Sequence, residues 1–144
     1  MSLSNLLQNI ADAERGPETC AVFDFDGTII SGYSATAFLK DQIARGEISP
    51  ADLVQLTHAA TRFGIGSLGF SAMMAVHAQY LAGRSEADYV ANSERLFRRA
   101  IAKLIYPEAR QLIEAHRAAG HSIAIISSAT PYQVLPAAKD LGIE

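Results

Sequence analysis

Residues 20–32, CAVFDFDGTIISG, set two carboxylates one residue apart directly after an apolar, β-prone run. Cys20 to Phe25 reads as a strand buried on both faces, since parallel strands covered by helices show near-continuous apolar runs. Asp24 and Asp26 then stand at its carboxyl end, where open α/β sheets bind their ligands. Alternation turns the two carboxylates the same way if the strand persists that far. Two like charges this close cost energy unless something positive, or a phosphate group, is meant to sit there. Gly27 permits a tight turn or close backbone approach. Thr28 adds a hydroxyl, and exposed amides in such a turn can hold an anion.

Working outward, Leu3, Leu6, Leu7 and Ile10 fall at helical spacing ahead of the strand, and RGPET ends that short amphipathic helix. After Gly32 the texture changes. Helical segments are predicted over Tyr33 to Ala44, from Ser49-Pro50 to about Phe63, over Phe70 to Leu81, and from Ser85 to about Lys103. Ser49 before Pro50 is an N-cap followed by proline at the first helical position. Ser85 with Asp88 resembles a capping box. Beyond residue 104, Pro107 starts a helix closed by Gly120, HSIAIIS is a second buried strand, and Thr130-Pro131 opens a helix to about Gly142. This order divides the chain into 1–32 (helix, strand and the paired acids), 33–104 (an all-helical insert) and 105–144 (helix, strand, helix). The fold class is α/β, with a parallel sheet reached by a helical crossover.

The bulk numbers exclude several classes. With 49% hydrophobic and 19% charged residues, the 144-residue chain is a folded domain rather than a disordered one. A net charge of −3 and scattered basic residues give no electrostatic footprint for nucleic acid, and the Arg98-Arg99 pair reads as a solvated helix face. The single cysteine, Cys20, leaves no disulfide partner and no cysteine-built metal site; its apolar neighbours predict a small buried hydrophobe. No apolar run approaches the roughly 18 residues of a membrane span, and the N-terminus lacks a signal peptide's pattern. A cytoplasmic protein is expected. His58, His77, His116 and His121 do not form a metal-ligand spacing.

Ser127 ends the second strand as Asp24 and Asp26 end the first. One of the paired acids can act as nucleophile and the other as general acid and base. Their shared field calls for a divalent cation, and an all-oxygen site favours Mg2+. The rival reading of D-x-D-G, a calcium-binding EF-hand loop, fails. Its third ligand, its sixth-position glycine and its twelfth-position glutamate would fall on Thr28, Ile29 and Ala35. A purely structural D-G turn with two solvated acids is the plain alternative.

VFDFDGT resembles the first motif of the haloacid dehalogenase-like superfamily, and IAIISSATP resembles its second. The helical insert lies where the phosphoserine-phosphatase-like branch places its helical cap. More narrowly, YSATAFLKDQIARGEISPADL, RLFRRAIAKLIYPEARQLIEAHRAAGH and SSATPYQVLPAAKDLGIE resemble the phosphatase-like half of bacterial proteins that fuse this domain to a glycerolipid acyltransferase. The resemblance implies a partial Rossmannoid parallel sheet with an inserted all-helical cap, acting on a small phosphorylated substrate. It implies that Asp24 attacks phosphorus and becomes an aspartyl-phosphate, and that Asp26 serves as acid and then base. It further implies that the Asp24 carboxylate and the Asp26 carbonyl hold Mg2+, and that Ser127, with the Ser128 amide, binds a phosphoryl oxygen beside Gly27 and Thr28. The second acid, Asp26, favours phosphoryl chemistry over dehalogenation.

The resemblance also requires a third-motif lysine and fourth-motif acids. Lys139 reads as an exposed helix residue, and Asp140 and Glu144 are poor metal ligands. The chain is therefore expected to be the N-terminal portion of a larger domain, inactive or weak alone, with a naked sheet edge that predicts self-association, a homodimer included. A non-catalytic phosphate-binding or regulatory module is the alternative. Tyr33 and His77 fall where phosphoserine phosphatases grip their substrate, and both departures argue against phosphoserine. Met73 and Met74 in the same segment read as core filler.

Overall fold

Several helix starts are written in local chemistry. A computed structural model describes residues 2–64, 66, 75, 78 and 81–143, with Phe63 described by its backbone only. Helix α1, Leu3–Asp12, is capped by Ser2, whose hydroxyl accepts the Asn5 N–H at 3.2 Å. Strand β1, Cys20–Phe23, is followed by α2, Ser34–Ala44, and α3, Pro50–Gly64. Ser49 and Asp52 cap α3 reciprocally. Helix α4, Glu86–Leu96, runs without a break into a π-helical turn, Phe97–Ile101, and a 3-10 turn, Ala102–Leu104. Then come α5, Pro107–Ala118, β2, Ser122–Ile125, and α6, Pro131–Leu141. Thr130 and Gln133 form a full capping box on α6, and Gly142 ends it in the left-handed conformation. The predicted helix over Phe70 to Leu81, with Met73, Met74 and His77, lies outside the described residues.

The two strands pair in parallel, Cys20 with Ser122 through Phe23 with Ile125, so their carboxyl ends lie side by side. The Ile126 N–H donates to the Phe23 carbonyl at 2.9 Å, carrying the pairing one step past the strands. This is the α/β fold with a small parallel sheet that the sequence predicts. Three details differ. The first strand stops at Phe23, not Phe25. It is not buried on both faces, since Val22 is 55% exposed. Cys20 is exposed rather than a buried hydrophobe. Among the described residues the sheet has two strands, so each keeps an unpaired edge.

The chain divides into two compact units, Met1–Phe38 with Val90–Glu144, and Leu39–Tyr89. Helices α2 and α4 each cross that division. In the second unit, Arg45 pairs with buried Asp41 at 2.8 Å and also with Glu47, and Arg84 reaches the same Glu47 at 2.5 Å. The core of the first unit is built around the loop after β1. Phe25, Ile29 and Ile30 are fully buried, together with Leu96, Ile101 and Ile113. The Ser31 N–H donates to the Leu104 carbonyl and the Tyr106 N–H to the Ile29 carbonyl, at 2.8 and 3.0 Å. The loop leaving the first strand is thereby stitched to the segment Leu104–Tyr106.

Candidate active site

Phe25 decides the shape of the site. Its ring is fully buried, and its carbonyl accepts the N–H groups of Thr28, Ile29 and Ile30 at 3.3, 2.9 and 3.1 Å. The chain after Asp24 therefore curls at once into a tight turn. Strand alternation does not place the two acids, as it would have had β1 continued. Gly27, at φ 78°, lets the turn close, and its N–H donates to the Ile30 carbonyl at 2.9 Å. The amides of Gly27 and Thr28 are thus engaged within the turn and are not the free anion donors the sequence suggested. What Thr28 presents outward is an exposed side chain.

Asp24 follows the last residue of β1 and is exposed, and among the described residues no group donates to its carboxylate. Asp26 is half-buried and anchored. Its Oδ1 accepts the backbone N–H of Ser34 at 2.7 Å, and its Oδ2 accepts the Ser34 hydroxyl at 3.2 Å. Ser34 opens α2 and is fully buried. Sequence reading missed Ser34, because an eight-residue reach from loop to helix start leaves no periodic signal. A serine at a helix start was the one available hint. The two acids, one residue apart in sequence, thus have different environments: one carboxylate open, the other held at the positive end of a helix.

Ser127 lies two residues beyond β2, on the side of the sheet where Asp24 follows β1. It is half-buried, and its Oγ accepts the Ala129 N–H at 3.1 Å, which leaves the hydroxyl proton free to donate outward. Ser128 is exposed. Tyr33 is 71% exposed, immediately before Ser34. His77 lies outside the described residues. Lys139 is an exposed residue of α6 whose partner is Glu94, 3.8 Å away, and Asp140 pairs with Arg110 at 2.6 Å. Among the described residues no three His, Cys, Asp or Glu side chains gather to hold a metal. A groove of about 230 Å³ runs beside Glu94, Phe97, Pro136 and Lys139, and neither Asp24 nor Asp26 lines it.

The sequence profile described as haloacid dehalogenase-like hydrolase matches residues 21–144. The chain is 30% identical over 118 residues to phosphoserine phosphatase SerB1 of Mycobacterium tuberculosis, covering 79% of this chain and 38% of that protein. It is 29% identical over 132 residues to the inhibition of morphological differentiation protein of Streptomyces azureus, covering 89% of this chain and 47% of that one. The chain thus spans less than half the length of the curated relatives it matches. In fold it is similar to a phosphoserine phosphohydrolase-like protein from Francisella tularensis, with a TM-score of 0.59 at 20% identity over 88% of this chain and 54% of the other.

Proposed function

From a chain that belongs to the haloacid dehalogenase-like hydrolase family, we propose a phosphomonoester hydrolase that works through an aspartyl-phosphate. The observation that carries this reading is the contrast between the paired acids. The open Asp24 carboxylate is free to attack, whereas the anchored Asp26 is held by hydrogen bonds that can fix an acid in place. In the first half-reaction an Asp24 oxygen bonds to phosphorus as the bond to the leaving oxygen breaks, and protonated Asp26 gives that oxygen its proton. In the second half-reaction Asp26, now a carboxylate, takes a proton from water. The water oxygen bonds to phosphorus, inorganic phosphate leaves, and the Asp24 carboxylate is restored. Ser127 donates its hydroxyl proton to a phosphoryl oxygen, with the Thr28 hydroxyl and the Ser128 amide as further donors.

A magnesium ion suits the donors present. The Asp24 carboxylate and the Asp26 backbone carbonyl receive no hydrogen bond among the described residues, and both are hard oxygen ligands. When bound, the ion would neutralise phosphoryl charge. We place its remaining acidic ligands, and the cation that faces the phosphoryl group, in sequence outside these residues, a reading supported by the greater length of the relatives. Tyr33 occupies the entrance to α2 and is proposed to contact the substrate's organic portion.

The test is hydrolysis of p-nitrophenyl phosphate with and without Mg2+, by this chain and by the product of its full native reading frame. Asp24→Asn is expected to lower turnover by roughly three orders of magnitude or more, and ³²P from a labelled substrate should become bound to the wild-type protein only. Folded protein that binds phosphate without turning substrate over, in both lengths, would instead identify a non-catalytic phosphate-binding module.

A further inference from the structure

The grip of Ser34 on Asp26 does more than finish a helix. A helix N-terminus needs acceptors for its first N–H groups, and Asp26 supplies one through the 2.7 Å bond to Oδ1. The second bond, from the Ser34 hydroxyl to Oδ2 at 3.2 Å, is not required for that purpose. It joins a fully buried hydroxyl to the second oxygen of the same carboxyl group, so both oxygens of Asp26 are held by a single residue.

We infer that Ser34 is the positioning residue for Asp26, fixing both oxygens of its carboxyl group. The inference rests on the reading of Asp26 as the acid and base of the hydrolysis. A backbone N–H can only donate, so Oδ1 is committed as an acceptor throughout. The Ser34 hydroxyl donates to Oδ2, so the two bonds together fix the plane of the carboxyl group. As the bond from phosphorus to the leaving oxygen breaks, the carboxyl group held in that plane gives its proton to that oxygen. Alanine keeps the N–H bond and loses this second grip, whereas threonine keeps both.

The test separates a positioning role from a merely structural one through the leaving group. p-Nitrophenolate departs without needing a proton, whereas ethoxide needs one. Ser34→Ala is expected to lower kcat for ethyl phosphate roughly tenfold more than for p-nitrophenyl phosphate, with KM little changed. Ser34→Thr should return the ratio of the two rates to its wild-type value, and Asp26→Asn should show the selectivity of Ser34→Ala more strongly. An equal fall on both esters, or no fall, overturns the inference. If the product of the full native reading frame hydrolyses neither ester, the hydrolase reading itself fails, and a second measurement decides Ser34 alone. In ¹³C NMR spectra of the 144-residue chain, the Asp26 carboxyl resonance should shift and broaden in folded Ser34→Ala. A resonance left unchanged shows that the hydroxyl does not hold the carboxyl group.

Discussion

At the scale of single residues, Gly27 is where backbone geometry meets chemistry. Its φ of 78° is one that L side chains adopt at a cost, and a Cβ built there meets no atom within 4 Å. The penalty for Gly27→Ala is therefore conformational rather than steric, and should be about 1 kcal/mol in urea denaturation. Phe25 marks the opposite limit. It is fully buried, so Phe25→Ala should cost roughly 3–5 kcal/mol, and because its ring anchors the turn that carries Asp24 and Asp26, the site should suffer along with the fold. Asp24 and Asp26 were legible in the sequence because the motif is local: an apolar run, two acids, a glycine. Ser34 was not, since its contact depends on how far the chain curls after Phe25. The engaged amides of Gly27 and Thr28 escaped notice for the same reason. A D-G turn read from sequence does not reveal which carbonyls its amides will find.

Among the elements, helix ends were the most legible and strand burial the least. Proline at the first position and a serine or threonine cap mark α3 and α6 by chemistry within four residues, and the structure finds both. Thr130→Ala should cost about 1 kcal/mol through loss of the capping box on α6, measured by thermal melting. Strand burial depends on what packs against the strand, which its own residues do not state. The junction of α5 and β2 carries a pH dependence. His121 directs Nε2 at the Glu14 carbonyl, 3.0 Å away, so that nitrogen carries the proton. Its Nδ1 then accepts from Nδ1 of His116 at 2.9 Å. Burial, and secondly the charge on His121, hold His116 below the ordinary histidine pKa. The unfolded chain therefore takes up the proton at higher pH than the folded one. The stability from neutral His116 is fully present above about pH 6.5 and declines as pH falls towards the folded value. Melting temperatures between pH 7.5 and 5.5 should fall for the native sequence and fall less for His116→Phe.

For the whole molecule, the exposed apolar residues on and beside the two strands carry the prediction. Val22 is 55% exposed and Ile126 is 68% exposed, and an unpaired strand edge is a template for another chain. Sedimentation of the 144-residue chain should show concentration-dependent association, and Ile126→Lys should reduce it. A monomer at all concentrations would show that the edge is adequately protected. The parallel pairing has a kinetic meaning as well. Cys20 meets Ser122 across a loop of roughly a hundred residues, whose closure costs on the order of 4 kcal/mol of chain entropy before the first rung forms. Helices and local turns gain their contacts over short separations and need not wait for it. Folding should therefore be helix-first, with the sheet zipped late. The newly made chain would then pass through a stage in which the segment bearing Asp24 and Asp26 is synthesised but its neighbouring strand has yet to arrive.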